Sequence, residues 1–98
     1  MYYVRFIDRE NGKYYQSSIV KFGEEKKALQ YYKEAVKEWQ EVRDFPEDYP
    51  NTLEEDIPGI VLQDGTNLIK YWNITKSKAA RYGSHNANIL RDEYGRMI

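Results

Sequence analysis

Between Glu24 and Asp44 the chain carries a helical period that a strand cannot use. Ala28, Tyr32, Ala35, Trp39 and Val42 fall within about 80° of one another when successive residues advance by about 100°. Leu29 and Val36 widen this apolar stripe, while Lys33, Glu34, Lys37, Glu38 and Glu41 take the polar side, with Glu34 in reach of Lys37 at i,i+3. The helix must stop near Asp44 and Phe45, because Pro46 has no N–H to donate and disfavours a helical residue before it. A one-sided stripe of this length needs a surface to cover, and the flanking sequence supplies a sheet.

Before the helix, Tyr2–Ile7 and Tyr14–Phe22 are β-favouring runs around Asn11-Gly12, a pair that tolerates positive φ in a tight turn. A two-residue loop there sets Glu10 opposite Lys13, Phe6 opposite Ser17 and Val4 opposite Ile19, which puts Tyr2, Val4, Phe6 and Ile19 on one side. Tyr3, Arg5, Ile7 and Gln16 then form a mixed opposite side. After the helix, Gly59–Gln63 and Thr66–Trp72 flank Asp64-Gly65, a second two-residue turn signal that sets Ile60 opposite Ile69, Val61 opposite Leu68 and Leu62 opposite Asn67. The expected fold is α+β: a small antiparallel sheet in ββαββ order, one long amphipathic helix packed on one face, and a short helical or irregular C-terminal tail. With 98 residues there is material for one core, so the chain reads as a single domain.

The two connections that remain differ in charge. Residues 46–58 hold all three prolines together with Glu47, Asp48, Glu54, Glu55 and Asp56, which describes a rigid acidic loop with room for one helical turn starting near Thr52. From Pro46 to Gly65 there are six acids and no Lys or Arg, whereas Thr66–Ile98 holds six bases and two acids. In the basic tail, 75–98, Thr75 can cap a short helix to Tyr82 that Gly83 stops; Asn86–Arg91 is either a second short helix or, over Asn88–Arg91, a strand pairing with Arg96–Ile98.

Composition narrows the function classes. Sixteen acids against fifteen bases leave a formal charge of -1, too balanced for a strongly cationic nucleic-acid binder. The absence of cysteine removes disulfides, thiol chemistry and cysteine-ligated zinc, and His85 is the sole histidine. No apolar run approaches the roughly 18–20 residues that span a bilayer, and the opening Met1-Tyr-Tyr-Val-Arg-Phe lacks the layout of a signal peptide, so a cytoplasmic protein is expected. Glu54, Glu55 and Asp56 match no calcium-loop pattern, Ser84 beside His85 has no orienting acid, and the glycines are scattered rather than gathered into a phosphate cradle. No catalytic residue, cofactor or metal is therefore expected.

Ten tyrosines are the resource left over. Tyr32 and Trp39 belong to the helix stripe, whereas Tyr3, Tyr15, Tyr31, Tyr71 and Tyr82 are not buried together by any one register, and surplus rings of this kind suit a protein contact. The reading is a non-enzymatic protein-interaction module, using Tyr3, Arg5, Gln16 and Tyr71 on the sheet face with Glu54 and Glu55 of the acidic loop. Its partner is another protein or a second copy of the chain as a homodimer. The alternative is DNA or RNA binding through the basic tail: Ala79, Gly83 and Ile89 have spacings that resemble a helix-turn-helix motif, with Lys76, Lys78, Arg81 and Arg91 around them and Asn86 and Asn88 as base-edge readers.

Overall fold

A computed structural model describes residues 1–82, 90–92 and 94, of which 81, 82 and 90–92 are described in the backbone. The ββαββ order holds, with one long helix packed against a four-stranded antiparallel sheet. Strands β1 (Tyr2–Glu10) and β2 (Lys13–Phe22) precede helix α1 (Glu25–Asp44); β3 (Gly59–Asp64) and β4 (Asn67–Trp72) follow it. Between them the acidic loop makes two single 3-10 turns, Pro46–Asp48 and Glu54–Asp56, the second tied by the Leu53 N–H donating to the Asp56 carboxylate at 2.8 Å. A short helix α2 (Lys76–Tyr82) comes next, its Thr75 hydroxyl accepting from the Lys78 N–H at 3.3 Å. The sheet order is β4-β3-β1-β2-β5, so β1 lies at the centre.

The fifth strand settles one of the alternatives left open by the sequence. β5 (Leu90–Asp92) runs parallel to β2, pairing with Ile19–Lys21. A second tail helix therefore does not extend to Arg91, while the pairing with Arg96–Ile98 and the stop at Gly83 lie outside the described residues.

Both hairpin registers differ from expectation, the first through a bulge and the second through a one-residue shift of its turn together with a bulge. Glu10 does face Lys13, but a bulge between Phe6 and Ile7 leaves Ser17 over, so Phe6 faces Ser18, Val4 faces Val20 and Arg5 faces Ile19. The Ser17 hydroxyl donates to the Phe6 carbonyl at 3.2 Å, supplying a side-chain partner where the ladder is broken. Ile19 is thereby moved to the face opposite Val4, Tyr2 and Phe6. In the second hairpin Asp64 pairs with Asn67, so the turn residues are Gly65 and Thr66, with Gly65 at φ 58°, and a second bulge sets Leu62 opposite Lys70, Val61 opposite Tyr71 and Ile60 opposite Trp72.

These registers sort the side chains into two layers. Under α1, Val4, Phe22, Ile60 and Leu62 meet Ala28 and Tyr32, with Trp39 and Trp72 packed at the margin. Trp39 is thus a half-buried wall of the core rather than its centre, and Trp72 is held from outside by the Arg43 guanidinium, 4.8 Å from its ring. On the other side Ile7 and Val61 meet Ala79 of α2. The chain reaches that side through Asn73, at φ 57°, whose amide donates to the carbonyls of Ile57 and Pro58 at 3.1 and 3.3 Å. Ile74 then presses on Gly59 so closely that a Cβ there would sit 2.9 Å from the Ile74 Cβ, which is why β3 begins on a glycine.

Candidate interaction surface

The sheet face away from α1 carries most of the residues that the sequence marks for binding. Tyr3, Arg5 and Ile7 alternate along β1 toward this face, and their strand partners place Gln63, Val61 and Tyr71 beside them on one flank and Lys21, Ile19 and Gln16 on the other. Arg5 and Gln16 are joined directly, the guanidinium Nη1 donating to the Gln16 side-chain oxygen. The Tyr3 ring lies 5.6 Å from the Arg5 guanidinium carbon, at the outer limit of a cation–π contact.

Burial divides this set. Arg5 is 5% exposed and Ile7 fully buried, so the part of the face that α2 approaches is interior. Burial lowers the Arg5 guanidinium pKa, against a smaller raising influence from Tyr3. Arg5 Nε and Gln16 Nε2 are buried without hydrogen-bond partners, so this polar pair is only partly satisfied. Arg5 therefore serves as a support beneath a surface, not as an exposed contact, while Gln16 is half-buried with its Nε2 covered. Tyr3 is half-buried and Tyr71, on the edge strand, is 43% exposed.

The acidic loop is placed elsewhere. Glu54 and Glu55 are exposed in the 3-10 turn beside the far end of β1, where Arg9 donates to the Glu54 carbonyl at 3.0 Å. Arg9 is four residues along β1 from Arg5, or roughly 13 Å at the rise of a strand. The expected union of Glu54 and Glu55 with Tyr3 and Tyr71 is not formed by the chain itself.

The surplus rings also scatter. Tyr15 is exposed toward the tip of the first hairpin, and Tyr31 lies at the flank of α1 tilted 49° against the Phe22 ring, centroids 5.3 Å apart. What the sequence missed is Ile69, 41% exposed next to Tyr71 on β4. The sequence register sets it opposite Ile60, whereas the turn sits one residue later and Ile69 is itself the extra residue of the β4 bulge, left over between Leu68 and Lys70. With Leu68 turned toward Ile7 and Val61, β4 presents Ile69, Lys70 and Tyr71 as consecutive exposed residues at the end of the sheet.

No family model, curated protein or solved structure matches this chain.

Of the residues marked for nucleic acid, Lys76 and Lys78 are exposed on α2, and Lys78 is engaged, its ammonium donating to the Tyr14 hydroxyl at 3.1 Å over the ring. That hydrogen bond is the largest influence lowering the Tyr14 pKa. The side chains of Arg81 and Arg91 and the whole of His85, Asn86 and Asn88 lie outside the described residues. Among the described residues no three His, Cys, Asp or Glu side chains converge as a metal site, and no helix is long and apolar enough to cross a membrane.

Proposed function

We propose that the chain is a small non-enzymatic protein-interaction module of the cytoplasm that binds an extended segment of a partner polypeptide along β4. One observation carries this reading: β4 ends the sheet, with no further strand beside it among the described residues, and it exposes Ile69 and Tyr71 together. An edge strand offers a row of backbone donors and acceptors to an incoming strand, and exposed aromatic and branched side chains supply anchors. Lys70 and the β4 bulge limit indiscriminate pairing, so such an edge favours a partner with a matching register over simple aggregation. Behind Tyr71 the sheet is filled by the buried Arg5, Val61 and Gln63.

The test is a photo-crosslinking residue placed at position 71 in the full chain, followed by affinity measurement with whatever protein is trapped. Tyr71→Ser should weaken the trapped partner by roughly tenfold, or about 1.4 kcal/mol, with unchanged folding, and Tyr15→Ser should leave the affinity alone. Nuclease treatment should not alter the crosslink. Equal affinity in the folded Tyr71→Ser variant, or crosslinking only from position 15, overturns the reading. Trapping of the chain by itself would make the partner a second copy, which sedimentation of the same variants measures directly.

A further inference from the structure

A separate feature lies on the helix side of the sheet, where none of the β4 residues takes part. Between β1 and the flank of α1 is an open groove of about 230 Å³ lined by Phe6, Tyr31, Glu34, Ala35, Glu38 and Trp39. It is smaller than the usual small-molecule site, a size that suits one long side chain. Its walls combine three rings with two carboxylates. The Phe6 and Tyr31 rings meet edge-on, 86° apart with centroids at 6.3 Å, and Trp39 stands two helical turns from Tyr31 on the same helix.

The carboxylates are the unusual part. Glu34 and Glu38 are spaced i,i+4, so two like charges share one flank of α1, an arrangement that disfavours the helix when nothing compensates it. Neither forms an ion pair among the described residues. Glu34 is not bonded to Lys37, which the sequence places in reach; it accepts a long contact of 3.4 Å from the Gln30 amide instead. The groove is therefore walled by rings and Ala35 and negative at its rim, and no cation lines it among the described residues. A positive head group on an aliphatic stem satisfies all of these at once, because the stem covers rings while the head meets the carboxylates and the negative faces of the aromatics.

We infer that the groove formed by Phe6, Tyr31, Trp39, Glu34 and Glu38 receives a lysine or arginine side chain of a partner protein. This does not rest on the β4 reading, since the two surfaces share no residue and either can stand without the other.

The inference is tested on the full chain with N-acetyl-arginine amide and N-acetyl-lysine amide as probes, and N-acetyl-citrulline amide as the neutral isostere of the first. Proton–nitrogen correlation spectra follow the Trp39 indole N–H and the Tyr31 and Ala35 amides. The cationic probes should shift these signals saturably with millimolar affinity, weakening as salt rises, and the citrulline probe should bind at least about fivefold more weakly. Glu34→Gln with Glu38→Gln should reduce the cationic affinity by about fivefold or more while the spectrum keeps its dispersion. Each single variant is read as well, so that a folding defect in the double does not decide the matter. Equal binding of the citrulline probe, unchanged affinity in the folded variants, shifts confined to other parts of the chain, or no saturation with either cation overturns the inference.

Discussion

The two faces of this sheet are made from the same strands and solve different problems. Under α1 the strands present Tyr2, Val4, Phe6, Val20, Phe22, Ile60 and Leu62, and Val4, Ile60 and Leu62 lose essentially all exposure against Ala28 and Tyr32. Across the sheet, the residues between them include Arg5, Gln16 and Gln63, and the covering α2 is only seven residues long. The first face is a core in which volume decides stability. The second mixes a small apolar cluster with buried polar groups whose hydrogen bonding is incomplete, so its stability depends on how desolvation and pairing balance.

The largest expected difference is in truncation. Ile60→Ala removes a fully buried side chain from the first face and should cost about 2–5 kcal/mol in equilibrium denaturation. Trp39→Ala, at the half-buried margin, should cost less than Ile60→Ala. The ranking fails, and with it the assignment of Trp39 to the wall, if the Trp39 variant proves the less stable of the two.

A smaller effect is expected on the second face. Replacing the linked pair together, Arg5→Met with Gln16→Leu, removes a buried cation and the amide it orders without leaving either alone. Stability should stay within about 1 kcal/mol of the parent or rise. A loss beyond about 2 kcal/mol would show that the polar pair is itself a strong stabilising element, and the contrast between the faces would disappear.

The finest comparison is alkaline. Tyr32, buried under α1, has its pKa raised by desolvation, whereas Tyr14 on the second face has its pKa lowered mainly by the hydrogen bond from Lys78. A raised phenol stabilises the fold below the ordinary tyrosine value of about 10 and loses that contribution as pH climbs from there through its folded value. A lowered one does the reverse, adding stability as pH rises from its folded value toward about 10. Phenolate absorbance should therefore show Tyr14 titrating early and Tyr32 among the late tyrosines. Lys78→Met should move the early one upward, and Tyr32→Phe should remove a late one; a single uniform transition would dissolve the distinction.

These contrasts explain which parts of the molecule could be read from the chain. The α1 stripe from Ala28 to Val42 and its stop before Pro46 are local patterns, carried by residues within a few positions of each other. The Asn11-Gly12 turn and the Thr75 cap are local in the same sense, and all four are found in place. The ββαββ order follows because each hairpin is closed by its own turn chemistry. Register did not follow, since a single extra residue at Ser17 reverses the face of everything beyond it, and the bulge is held by a contact to Phe6 that sequence spacing does not announce.

The candidate surface divides along the same line. That Tyr3, Arg5 and Gln16 share a face was legible from alternation; that Arg5 is buried was not, because its cover comes from parts of the chain far from it in sequence. Tyr71 is a surplus ring by sequence, but its exposure beside Ile69 depends on β4 standing at the end of the sheet. Strand order is set by which edges pair after collapse, and β1 reached the centre by pairing with both β2 and β3, the second across more than fifty residues of chain. Sequence thus determined the elements and the material for two faces, through short-range periodicity and turn chemistry. The tertiary structure alone decided which tyrosines became core, which became surface, and where Glu34 and Glu38 came to flank a ring-lined groove, because burial is a property of the assembled layers and not of any one of them.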